Sequence, residues 1–107
     1  MTVMEDVLVE EYMRALRIER LVKSEIEELP KGSIQKKKIK GKEYPYLQYR
    51  CGNAIKSQYI KAQEVHELEI LIAKRKEHIS TLKQLQKTKA QIEKALGKDF
   101  LHEHTAN

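Results

Sequence analysis

Apolar positions follow three successive patterns along the chain. Leu8, Tyr12, Ala15, Val22, Ile26 and Leu29 form one helical stripe, widened by Met13, Leu16, Ile18 and Leu21, which predicts a helix over 2–29. Thr2 and Glu5 have the spacing of a capping box, while Pro30 and Gly32 stop the run. From Ser33 to Lys61 β-branched and aromatic residues alternate with polar ones, with glycines at 41 and 52. That pattern predicts three antiparallel strands over 33–40, 43–51 and 54–60, turning at Gly41-Lys42 and Gly52-Asn53. From Ala62 to Leu96 neither proline nor glycine occurs. Val65, Leu68, Ile72, Ile79 and Leu82 keep heptad spacing, followed after a phase change by Leu85, Ile92 and Leu96. One long helix over 62–97 follows, ended by Gly97, and residues 98–107 read as a fraying tail. The fold class is α+β: a single αβββα domain over 1–97, comprising a helix, a three-stranded antiparallel meander and a long C-terminal helix.

The strand register sorts the meander into two faces. One holds Lys37, Ile39, Tyr44, Tyr46, Arg50, Ile55, Tyr59 and Lys61. The other holds Ile34, Leu47, Tyr49, Cys51, Ala54 and Ile60, with Lys36 and Lys38 near its edge. Pro45 has no N–H to give a ladder, so a bulge or a non-bonded position is expected there. The long helix would span about 50 Å at 1.5 Å per residue, more than a three-stranded sheet can cover. Its distal half therefore needs an antiparallel partner, either the first helix or a second copy of the chain. A chain of 107 residues buries only about 65% of its unfolded surface. A homodimer through the helices is the expected assembly.

Charge changes this picture by its distribution. Residues 1–30 carry a net −4, residues 31–61 a net +8 and residues 62–107 a net +1. The central segment holds nine Lys or Arg against the single acid Glu43, with four of the five tyrosines among them. Cations interleaved with flat rings suit a polyanion that also presents flat rings. The candidate nucleic-acid-binding residues are Lys36, Lys37, Lys38, Lys40, Lys42, Tyr44, Tyr46, Arg50, Lys56 and Tyr59. Each has a plainer explanation. Lysines on an edge strand guard against sheet-to-sheet pairing, and tyrosines in a chain without tryptophan serve as core.

Leu29-Pro30-Lys31-Gly32-Ser33-Ile34 and Tyr44-Pro45-Tyr46-Leu47-Gln48-Tyr49-Arg50-Cys51-Gly52, with Tyr59-Ile60, resemble a family of small uncharacterised bacterial domains. The resemblance spans about residues 28–96. It implies a helix, a basic meander opening on Gly-Ser, and a long C-terminal helix, without an activity. Relatives in that family carry cysteines between the first two strands. Here that stretch is Ile39-Lys40-Gly41-Lys42-Glu43, so no metal site carries over. In shape alone, the sheet with its helix also resembles the arm-binding modules of phage-type integrases, whose sheet enters the DNA major groove.

Other chemistries find little footing. His102 and His104 are two apart and His66 and His78 twelve apart, neither a spacing that stacks ligands on a helix. Cys51 is the single cysteine and has no histidine in a recognisable pattern beside it. No phosphate-cradling glycine loop, Ser/His/Asp set or paired carboxylates is present. The expectation is a protein that is not an enzyme and needs no cofactor or metal. With no apolar run beyond Ile70–Ala73 and an acidic start at Glu5-Asp6, neither a membrane span nor export is expected, which places the protein in the cytoplasm.

The functional expectation is a small nucleic-acid-binding protein, with DNA ahead of RNA as partner. About five neutralised phosphates would give a log–log salt slope near −4.5 on a duplex. The alternative is a protein-interaction adaptor, or a regulator encoded on a mobile element, that meets an acidic protein or nucleoprotein surface through its helices and basic sheet.

Overall fold

The computed structural model describes residues 2–105. Helix α1 runs Val3–Glu28, strands β1, β2 and β3 run Ser33–Ile39, Lys42–Cys51 and Ala54–Tyr59, and a 3-10 turn at Ala62–Glu64 leads into α2, Val65–Leu96. A short helix α3, Lys98–Thr105, follows. Chain contacts form two compact units, one of residues up to Glu27 with those from His78 onward, the other of Glu28–Glu77.

In the first unit the capping box is made as its spacing requires: the Thr2 amide donates to the Glu5 carboxylate at 3.0 Å and the Glu5 amide to Thr2 Oγ1 at 3.2 Å. Those Thr2 bonds hold the Glu5 carboxyl below its ordinary value. α1 and the distal part of α2 run antiparallel, since Glu25 meets His78 and Glu19 meets Lys89. The buried line on α1 is Val9, Ala15, Glu19 and Val22, so an acid sits where the apolar stripe was expected to continue. Leu21, expected to widen that stripe, instead points to solvent.

The fraying tail is corrected. Gly97 takes a positive φ of 89° and ends α2, and the chain re-enters a helix at Lys98. Leu101 is 2% exposed and packs with Val9 and Ile92, flanked by Leu8, Tyr12, Met13, Leu96 and Phe100. The one apolar pair Phe100-Leu101 is enough to hold the segment once α1 and α2 offer a surface, a tertiary effect that local propensity does not register. The last two residues of the expected tail lie outside the described residues.

In the second unit the sheet order is β1-β2-β3, antiparallel throughout, so β1 and β3 are both edges. The first turn falls one residue earlier than expected, at Lys40-Gly41, where φ is 51° and 81°. Positive φ at both central positions is the primed hairpin turn that matches strand twist, and glycine suits its second position. Tyr44 therefore faces Lys37 and Ile39 faces Lys42. The partner moves by two residues, so face membership is unchanged.

No bulge forms at Pro45, where the pairing runs unbroken from Ser33↔Gln48 to Ile39↔Lys42; Pro45 takes the other expected arrangement, a non-bonded pair with Lys36. Alternation of bonded and non-bonded pairs puts the even-numbered β2 amides toward β1 and the odd-numbered ones toward β3. Pro45 thus faces the β3 side, where β3 has already ended at Tyr59, and its carbonyl accepts from the Ile60 amide at 3.1 Å. Pro45 has no hydrogen for the return bond to Ile60, and the β2–β3 ladder ends there.

Gly32, between Pro30 and β1, has a φ of 113°, and a Cβ there would stand 2.4 Å from the Gln48 carbonyl oxygen and 3.1 Å from Tyr49 Cβ. Gly32→Ala is expected to cost about 2 kcal/mol, within the range for a strained backbone position. A thermal melt lowered by roughly 10 °C is the corresponding readout for a domain this small.

Candidate functional site

Residues paired across strands share a face, so the register builds the site directly. Lys37, Ile39, Lys42, Tyr44, Tyr46, Arg50, Ile55 and Tyr59 lie on one face, as do Gln35, Gln48 and Ser57. Ile34, Leu47 and Tyr49 lie on the other. That second face turns toward the start of α2, where Ile34 and Ser33 share a hollow with Glu69, Ile72, Ala73 and Lys76. The first face stays open: Ile55 is 63% and Tyr59 53% exposed.

On the open face the rings gather. Tyr59 meets Tyr46 edge-on at 5.7 Å between centroids and Tyr44 at 6.4 Å with a 60° tilt. Lys37 Nζ stands over the Tyr46 ring, 4.5 Å from its centroid. The ammonium is drawn there by the electron-rich ring face and remains in contact with solvent. Lys42 and Arg50 stand at opposite ends of the same row on β2, both exposed. No tyrosine of the sheet is buried, so the reading of Tyr44, Tyr46 and Tyr59 as a sealed core does not describe them.

The ten candidates do not form one surface. Lys37, Lys42, Tyr44, Tyr46, Arg50 and Tyr59 come together, and Lys40 stands beside them in the hairpin turn. Lys36 pairs with Pro45, Lys38 with Glu43 and Lys56 with Tyr49, which places all three on the opposite face. Composition alone pooled them, whereas strand parity separates them. The same parity would have added Gln35, Gln48 and Ser57, whose amides and hydroxyl give the open face donors and acceptors. Gln35 Nε2 already donates to Ser33 Oγ at 3.0 Å.

Among the described residues no cluster of three or more His, Cys, Asp or Glu side chains could hold a metal. No helix there is long and apolar enough to cross a membrane. Cys51 is exposed and unpaired, at the hairpin between β2 and β3.

A family described as a domain of unknown function (DUF6788) matches residues 8–70, which takes in most of α1, the whole sheet and the first residues of α2. No curated protein and no solved structure matches the chain.

Proposed function

Since the chain belongs to the DUF6788 family, whose description carries no activity, we propose from its own residues that it binds nucleic acid through the open face of its sheet. The observation that supports this reading is a solvent-facing row of tyrosines set among Lys37, Lys40, Lys42 and Arg50. Phosphates meet the cations, and about four contacts give a salt slope near −3.6 on a duplex and −2.8 on a single strand. A phosphate that draws Lys37 aside also uncovers the Tyr46 ring. Tyr59, the most exposed ring of the cluster, stacks an unpaired base, while Gln35, Gln48 and Ser57 supply hydrogen bonds to base edges. Nothing in the arrangement calls for catalysis.

Tyr59→Ala is expected to weaken binding of a labelled single-stranded oligonucleotide by about 1–3 kcal/mol, the range for losing one stacking ring. Tyr59→Phe keeps the ring and is expected to bind like the parent, as measured by fluorescence anisotropy on DNA and RNA strands of the same sequence. Equal loss in both variants would assign the effect to the hydroxyl and remove the stacking role.

A second reading rests on Ile39 and Ile55, exposed apolar side chains flanking the cations. An acidic protein surface with apolar residues at its centre would meet both. It requires Ile55→Ser to abolish capture of that partner while leaving oligonucleotide anisotropy unchanged.

A further inference from the structure

The two edges of the sheet are unlike each other. Strand alternation leaves the backbone amides of Ile34, Lys36 and Lys38 on β1, and of Ile55, Ser57 and Tyr59 on β3, pointing away from β2. Two β1 edges brought together antiparallel would set lysine against or beside lysine in any register that uses those amides, a guard against pairing. β3 has no such guard. All six of its residues are exposed, and the side chains at its outward-amide positions are an isoleucine, a serine and a tyrosine.

β3 is also complementary to itself. With a two-fold axis at Ser57, Ser57 faces the partner's Ser57, Ile55 faces the partner's Tyr59, and Lys56 faces the partner's Gln58. The first two pairings use outward-pointing amides on both strands, so each can be a doubly bonded pair. They also make two β-branched–aromatic contacts, among the favourable cross-strand combinations. Moving the axis to Lys56 would set two lysines directly opposite, which disfavours that register.

We propose that the chain forms a homodimer by antiparallel pairing of β3 with a second copy about Ser57, giving one six-stranded sheet. The exposed side chains of Ile55 and Tyr59 then lie side by side across the axis, on the same open face. The two tyrosine clusters join into one surface, with each Tyr59 between its own Tyr46 and the partner's Ile55. The proposal does not rest on nucleic-acid binding, and it replaces the helices with the sheet edge as the dimer contact.

Analytical ultracentrifugation of the full chain is expected to show a dimer. Ser57→Pro removes an outward amide that β2 does not use, and Ser57→Lys puts like charges on the axis. Both are expected to sediment as monomers with unchanged circular dichroism, whereas Lys36→Pro on the guarded edge is expected to remain dimeric. In a Cys51→Ser background, Ser57→Cys is expected to cross-link under mild oxidation. The paired Cα atoms would stand about 5.5 Å apart, within disulfide reach. Gln58→Cys in the same background is not expected to cross-link. The cross-link reports on the register even where the proline variant fails to fold. A monomeric parent, or a dimer that survives Ser57→Lys and does not cross-link through position 57, would overturn the proposal.

Discussion

Reversing Lys37 and Lys42 together to glutamate is expected to halve the salt slope of duplex binding, from about −3.6 to about −1.8, because two of some four phosphate contacts are lost. The same number of reversals on the other face, Lys36→Glu with Lys56→Glu, is expected to leave the slope nearly unchanged. Both variants alter the net charge equally, so a response governed by total charge would treat them alike. The register separates them: Lys37 pairs with Tyr44 and Lys42 with Ile39, whereas Lys36 pairs with Pro45 and Lys56 with Tyr49. Charges on opposite faces of a sheet are separated by about one Debye length at 0.1 M salt, so the far pair acts weakly on a ligand held at the open face. Anisotropy titrations at several salt concentrations give the slopes. Equal losses in the two variants would mean that the protein is only a diffuse polycation.

The second large effect concerns the helical unit. Glu19 is 9% exposed and accepts hydrogen bonds from Lys89 at 3.1 Å and Lys23 at 3.2 Å. Burial pushes its carboxyl up, but the bonds to the two lysines more than offset burial and hold it below the ordinary value. Lys89→Met is expected to destabilise the fold by about 1.5–3 kcal/mol, the range for losing hydrogen bonds to a charged group, since the pair is part-buried and Lys23 still compensates the carboxylate. Replacing both members, Glu19→Leu with Lys89→Met, is expected to recover most of that loss. The sign of the pH effect follows from the lowered carboxyl. Its contribution is present above the unfolded value near 4.5 and is lost as pH falls through the folded one. The gap between parent and Lys89→Met in urea unfolding is therefore expected to be full at pH 7 and to shrink below about pH 4.5. A constant gap across that range would show that Lys89 acts through packing alone.

Much of this was legible in the chain. Thr2 and Glu5 announced the first cap, and Gly52-Asn53 announced the second hairpin, because local chemistry settles both. Alternation in β2 placed Tyr44, Tyr46 and Arg50 on one face even though the first turn lies at Lys40-Gly41, since a shift of two residues preserves parity. Less legible was whatever depends on distant partners. Glu19 is absent from the apolar stripe read along the first helix, and its burial depends on the counter-charge of Lys89, seventy residues away. Leu101 looked like part of a frayed tail because its stability comes from Val9 and Ile92 rather than from its neighbours. At the site, composition named the right residue types but pooled Lys36, Lys38 and Lys56 with the rest. The alternation that put Ile55 on the tyrosine face already turns Lys56 away from it, and the pairing of Lys56 with Tyr49 places it there. Pro45 marked an end of pairing rather than a bulge, a distinction set by where β3 stops.

The open basic–aromatic face is tested most directly by titrating the unmodified protein into a labelled single-stranded oligonucleotide at 50 and 200 mM salt. With about four phosphate contacts the affinity is expected to fall roughly 50-fold between the two concentrations, following the single-strand slope. No binding at 50 mM salt, or binding that does not respond to salt, would contradict the assignment of this face to nucleic acid.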